Sequence, residues 1–297
     1  MSRKYLRLIS LVAGVWLLDS GVADAQPGAG AAPPPVEATR LAGNLYFLPG
    51  GSGANSSALV GDDGVFLVDS KTDRASGEGI LEALAAVTAR DVRFLVNTHE
   101  HPDHTGSNEL FGELGATIVA LAGVREVLAA GQRGGPPAPP AALPVVTIDV
   151  GERLTLHLNG ETIEIIDMPA AHTASNSMVH FVNADVYHLG DLYTRTRYPV
   201  IAGGTVQGFI DAADRVLAMS DADARFIPGV GDVGDRADLL RYRNMLVTVR
   251  DRVAALVEQG KSMDDVTAAN PTAEFDATYG DPGRLFLPLI YQQLAGD

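Results

Sequence analysis

Four side chains able to hold a metal ion fall within six residues: His99, His101, Asp103 and His104, in the run Val96-Asn97-Thr98-His99-Glu100-His101-Pro102-Asp103-His104-Thr105-Gly106. Neutral imidazoles and carboxylates suit a borderline cation such as zinc, and a loop at a strand end can aim alternate side chains into one cavity. The competing explanation is a polar surface turn with coincidental histidines. That three of the seven histidines of the chain sit in one turn argues against it.

The elements around this run have to supply the strand end and the cavity. Short apolar runs at Leu45 to Leu48, Ala58 to Val60 and Val65 to Val68 are split by Gly50-Gly51-Ser52-Gly53 and Gly61-Asp62-Asp63-Gly64, and they read as strands. Ile80, Leu84 and Val87 predict a helix over Ser76 to Arg90, with a strand at Val92 to Asn97 after it. A helix near Asn108 to Leu114 and a strand at Thr117 to Leu121 follow, then a loop from Gly134 through Pro144. Strand-like runs return at 145–148, 154–158, 162–166, 178–182 and 186–189. The last third is mostly helical, with apolar stripes on Phe209 to Met219 and Asp235 to Gln259. Two strand-rich blocks with interspersed helices predict an α/β sandwich, in which two mixed sheets pack face to face with helices outside.

The pattern His-x-His-x-Asp-His after a strand resembles the metallo-beta-lactamase superfamily, and the resemblance extends from about residue 40 to the C-terminus. Asn55 through Asp69 looks like the opening hairpin of that family, with Asp69 in the place of the carboxylate that braces the metal loop. Pro169-Ala170-Ala171-His172-Thr173 resembles the segment that supplies the next histidine, and Leu189-Gly190-Asp191-Leu192 the segment that supplies a bridging aspartate. The resemblance implies the αβ/βα sandwich fold. It also implies a first metal on His99, His101 and His172, and a second on Asp103, His104 and a bridging Asp191. Zinc is the cation implied, one or two ions, with a small-molecule substrate and Asp103 orienting the water nucleophile and handling its proton.

The sequence departs from this pattern at Ile227-Pro228-Gly229-Val230-Gly231, where Val230 stands in the place of the last histidine ligand. An isopropyl group cannot donate to a metal. Asp232 is the nearest carboxylate in sequence that could replace it. The consequence is a weak second metal, a working single-metal site, or a relative that has lost catalysis and only binds. Among enzymes that the resemblance suggests, hydrolysis of an ester, lactone, thioester or lactam stands first. A mononuclear iron enzyme oxidising sulfur compounds through His99, His172 and Asp191 is the alternative.

Other residues have plainer readings. His157 falls on the polar phase of its strand and should be exposed, whereas His180 and His188 should be core histidines with their hydrogen bonds made. His188, three residues before Asp191, could instead orient a ligand. Ser52 to Ser57 and Gly134 to Pro140 are candidate walls of a cleft, and Tyr193 and Arg195 are surface residues or substrate contacts.

Composition sets the outer limits. Residues 1–25 carry Arg3, Lys4 and Arg7, an apolar run from Leu8 to Leu18 and Ala23-Asp24-Ala25, the three parts of a secretory signal. The apolar run is well short of the roughly 20 residues of a membrane span. Residues 26–36, rich in Pro, Gly and Ala, read as a flexible linker, and 37–297 as one folded domain with a periplasmic or secreted destination. Without the signal the net charge is −16, which repels nucleic acid and anionic membranes. There is no cysteine, so thiol nucleophiles, thiolate metal sites and disulfides are excluded.

Overall fold

The computed structural model describes residues 32–296, and the signal-like segment lies outside them. One sheet has seven strands in sequence order: β1 (Thr39–Ala42), β2 (Leu45–Leu48), β3 (Ser56–Leu59), β4 (Val65–Val68), β5 (Val92–Val96), β6 (Thr117–Leu121) and β7 (Val146–Ile148). Its first four strands are antiparallel, and β4 through β7 run parallel. The second sheet has six: β8 (Arg153–Leu158), β9 (Glu161–Met168), β10 (Asn176–Phe181), β11 (Val186–Thr194), β12 (Arg225–Val230) and β13 (Gly234–Asp235), with a parallel pairing only between β11 and β12.

Both sheets are mixed, and their central strands are buried on both faces. Leu45, Phe66, Val96 and Val119 from the first sheet meet Ile163, Ile165, Phe181 and Ile227 from the second in a shared inner layer. The outer face of the first sheet packs on α1 (Arg74–Ala85) and α3 (Asn108–Glu113), whose Ile80, Leu84 and Phe111 cover Leu67 and Leu95. The same half of the chain also carries the short α2 (Pro102–Thr105) and α4 (Ala122–Ala130), with Val124 and Leu128 of α4 joining the inner layer. On the far side, α5 (Val206–Met219) and α6 (Arg236–Glu258) cover the second sheet through Phe209, Val216, Leu246 and Val249. The short helices α7 (Met263–Ala269) and α8 (Asp276–Tyr279), then α9 (Leu287–Ala295), complete the chain. No helix among the described residues is long and apolar enough to cross a membrane.

Local chemistry explains where the elements begin and end, and where the expectation shifts. The first helix starts at Arg74 because the Asp73 side chain accepts from Ser76 N at 2.8 Å, and it stops at Ala85, short of the expected Arg90. The helix α4 had no capping signal, since Leu121 precedes it, and it is recognisable only from Val124 and Leu128 spaced four apart on its buried side. Strand β12 contains Pro228 and Gly229, residues that argue against a strand, and was not expected. The linker is tied down at its end: Gly51 N donates to Pro34 O at 2.7 Å and Val36 packs against the outer core, so the flexible segment cannot reach residue 36.

A fully buried lysine anchors the loop between β2 and β3. Lys71 Nζ donates to Leu48 O at 2.9 Å and to Ala54 O at 2.7 Å, holding both ends of the glycine-rich turn between them. Burial pulls its pKa down to about 7, against the opposing charge of Asp69. A base with a depressed folded pKa binds more protons unfolded, so its contribution to stability grows as pH rises from about 7 toward the ordinary lysine value of 10.5. Chemical denaturation at stepped pH should show the unfolding free energy climbing through that window, and a Lys71→Met variant should lose the climb. Parallel pH curves for the two proteins would refute it.

Candidate metal centre

The site forms where strand ends of both sheets converge. The loop after β5 carries His99 and His101, and the short α2 that continues it carries Asp103 and His104; the loop after β9 carries His172; Asp191 lies on β11. The metal loop cannot drift because its backbone is held from several sides. Ser70 N and Asn97 Nδ2 both donate to His104 O, at 2.8 and 3.1 Å, and Ala54 N donates to Asp103 O at 3.1 Å. Ser177 N donates to Thr98 O at 2.8 Å, joining the loop to the second sheet.

Asp69 sits behind this loop as the resemblance implied. It has no solvent exposure, and its backbone is left-handed, with φ of 58°. Oδ1 accepts from Thr98 N at 2.8 Å, while Oδ2 accepts from Thr98 Oγ1 at 2.8 Å and pairs with His104 Nδ1 at 2.6 Å. Burial alone would raise its pKa, but His104 and His188 outweigh burial and hold it at about 2. The ring of His104 is thereby fixed with Nε2 facing the cavity. His172 is fixed in the same manner, its Nδ1 lying 2.6 Å from Val200 O.

The predicted residues come together in two overlapping groups. His99, His101 and His172 have ligand atoms within 4.8 Å of one another, and so do His99, His104 and Asp191. Asp191 spans both: Oδ2 is 3.4 Å from His172 Nε2 and Oδ1 is 3.4 Å from His104 Nε2. Asp103 stands at the margin, its Oδ2 3.6 Å from His104 Nε2, and His99 takes the place in the second group that the resemblance implied for Asp103. His99 Nε2, His104 Nε2 and Asp191 Oδ1 are buried without a hydrogen-bond partner. Orphaned donors and acceptors of this kind are costly unless a ligand satisfies them, and this donor set fits a metal ion.

The electrostatics of His99 and His101 agree. Burial and the neighbouring imidazoles drive His99 well below the ordinary histidine value and His101 down to about 3, which leaves them neutral as metal ligation requires. Burial would also raise Asp191, yet His172 and His104 hold it well below the usual carboxylate range. His104 behaves oppositely. Burial disfavours its charge, but Asp69, Asp103 and Asp191 surround it and push its pKa well up. For Asp103, burial and Asp191 outweigh His104, so its carboxyl is raised.

Several expectations are corrected. Asp232 is exposed and belongs to neither ligand group, because the chain turns outward after Gly231. Tyr193 is no surface contact: β11 continues through Thr194 and buries the ring against Tyr242, centroids 5.4 Å apart. Arg195 is committed to Asp238 at 2.9 Å and Val233 O at 3.2 Å. His180 is buried as expected, but neither ring nitrogen has a hydrogen-bond partner. Glu164 lies 3.6 Å away and the ring stacks on Tyr187. His188 is buried with Nδ1 2.8 Å from Ser57 Oγ and Nε2 3.7 Å from Asp69 Oδ2, behind the brace, and His157 is exposed as expected. Of the predicted cleft walls, Ser52 to Ser57 does adjoin the site. Asn55 Nδ2 donates to Pro228 O at 3.0 Å and Gly231 O at 2.7 Å, and Asn55 N to Gly229 O at 2.8 Å. Arg197, unremarked in the sequence, places Nη2 3.6 Å from Asp191 Oδ2.

The sequence profile described as the metallo-beta-lactamase superfamily matches residues 49–257. The chain belongs to that superfamily. Its fold is shared with a metallo-beta-lactamase from Pontibacter korlensis, at TM-score 0.61 and 18% identity over 71% of this chain and 99% of that one. It is also shared with a double mutant of the sec-alkyl sulfatase PisA1, at TM-score 0.70 and 16% identity over 88% of this chain and 50% of that one. In sequence the chain is 28% identical to the 2,4-dinitroanisole O-demethylase subunit alpha of Nocardioides sp. (strain JS1661) over 174 residues. That match takes in 58% of this chain and about half the length of the relative, 51%. Members of this superfamily are mostly metal-dependent hydrolases, and the histidine cluster is where an ion would sit.

Removing the brace should reveal its purpose. Asp69→Asn keeps the shape of the side chain and loses its charge, and zinc affinity should fall by about 10–100-fold in competition with a chromophoric chelator. Unchanged affinity would mean that His104 is positioned without it.

Proposed function

We propose that this chain is an exported metal-dependent hydrolase of a small molecule, with the metal held by His99, His101 and His172 and by Asp191. The convergence of three imidazole nitrogens from two sheets on one buried cavity, with Asp191 between the two groups, carries this reading. Zinc fits the nitrogen and oxygen donors, and when bound it supplies Lewis acidity that polarises a scissile carbonyl and lowers the pKa of a water toward about 7.

The side chains of the protein divide the remaining work. Asp103 stands beside the cluster with its side chain 29% exposed, enough for a water to reach Oδ2. Burial raises its carboxyl, which suits a group that accepts a proton from the attacking water and returns it to the leaving group. Asp69 keeps His104 from turning, and the carbonyl of Val200 does the same for His172. The loop from Ser52 to Ser57 bounds the site on one side. Its hydrogen bonds to Asp103 and to Gly229 keep the wall in register with both halves of the centre.

The bond cleaved is to be sought among esters, lactones, thioesters and lactams. An activated aryl methyl ether joins the panel because the Nocardioides relative is an O-demethylase of 2,4-dinitroanisole. Export rests on residues 1–25, and the intact mass of exported protein should correspond to a chain beginning at Gln26. A mass that includes the first 25 residues would refute cleavage.

Chelation followed by reconstitution with zinc or with iron tests the function. Activity on at least one member of the panel should disappear on chelation and return with zinc, without oxygen consumption. In Asp103→Asn, kcat should fall by about 100-fold or more while the protein still binds zinc. Return of activity only with iron, coupled to oxygen uptake on a thiol substrate, would favour the sulfur-oxidising alternative. Full metal loading with no turnover would favour a binding protein.

A further inference from the structure

Two departures meet at Asp191. On one side is the segment that lacks its histidine. Gly229 lies so close that a β-carbon there would fall 1.8 Å from Asp191 Oδ1, and Val230 follows it at the end of β12 with no donor to offer. Among the described residues, only His99 joins His104 and Asp191 as a metal-ligating group, and His99 is already shared with the other triad.

On the other side is Arg197. Its Nη2 is 3.6 Å from Asp191 Oδ2, the oxygen that also faces His172. The turn that carries it is well anchored. Thr194 Oγ1 donates to Arg197 O, the Tyr198 ring stacks on Phe286 at 4.9 Å with its hydroxyl donating to Asp276 at 2.8 Å, and Val200 O pairs with His172. Asp191 does not use up the guanidinium, because Nε is buried without a partner and the side chain is 33% exposed toward solvent. A guanidinium is charged at every accessible pH, and at close range in a mostly buried site its repulsion of another cation is little screened.

We propose that Arg197 is the fixed second cation of this centre: it takes the share of the Asp191 charge that a second metal ion would take, so the site holds one metal, and its spare donors hold an oxyanion of the substrate. This rests on the metal-hydrolase reading above and narrows the substrate class to compounds with a carboxylate, sulfonate or phenolate beside the scissile bond. A planar fork of N–H donors matches such groups better than it matches a neutral one.

Calorimetric titration of the metal-stripped protein with zinc separates the contributions. The natural chain should take one equivalent. Val230→His alone should also take one, because the guanidinium still opposes a second ion. The double variant Arg197→Gln with Val230→His should take two, and Arg197→Lys with Val230→His should return to one. Two equivalents in the natural chain or in Val230→His would overturn the proposal, as would a single equivalent in a double variant that melts like the natural protein. Zinc bound by none of them would overturn the underlying metal-centre reading as well. A second measurement does not depend on the double variant. Benzoate binding to the zinc-loaded protein should weaken by about 10-fold in Arg197→Gln and by less in Arg197→Lys. Equal benzoate affinity in all three would overturn the assignment of Arg197 to an anion.

Discussion

A buried carboxylate that accepts three hydrogen bonds organises this molecule around its site. Asp69 leaves the end of β4 in a left-handed conformation and meets Thr98 and His104 with no exposure to solvent. An uncompensated charge in that position would be expensive, and the cost is offset only if the loop after β5 returns to it with donors in place. Forming the parallel pair β4 and β5 thus delivers the charge and its partners together. The chain behind it is equally constrained: Lys71, two residues on, is buried and tied to backbone carbonyls on either side of the glycine-rich turn.

That frame brings six ionisable groups into one buried cluster and sets their charges by what each one faces. Imidazoles at 99 and 101 are kept neutral, His104 is held among three carboxylates, and Asp191 keeps its charge between the two groups. Arg197 enters from a turn held by aromatic stacking on the far side of the second sheet, so the helical layer as well as the strand ends helps to set the charge of the centre.

The sequence showed the metal loop plainly because four candidate ligands fall within six residues, and a strand end leaves them little freedom to diverge. His172 and Asp191 were legible through their order and flanking residues. Asp103 was placed among the ligands by pattern, and only three dimensions put His99 in that group instead. Asp232 misled for the opposite reason: adjacency in sequence says nothing once the chain turns outward at the end of a strand. Tyr193 was misjudged because β11 runs five residues beyond its expected end, burying both faces. No spacing rule marks a single arginine such as Arg197, whose meaning comes from a carboxylate six positions earlier and from the absence of a histidine at 230. In the fold, the two-sheet plan followed from apolar runs, whereas α4 and β12 lacked caps or carried a proline.

Ligands at 99 and 101 belong to the half of the chain that makes the first sheet, and those at 172 and 191 to the half that makes the second. An ion gripping all four is therefore a cross-link that closes a loop of roughly 70 to 90 residues, the task a disulfide performs in many secreted proteins and one that a chain without cysteine cannot assign to sulfur. Unlike sulfur, this staple is reversible and obeys mass action. The resistance of the protein to unfolding then becomes a property it shares with its surroundings, rising and falling with the free metal they contain.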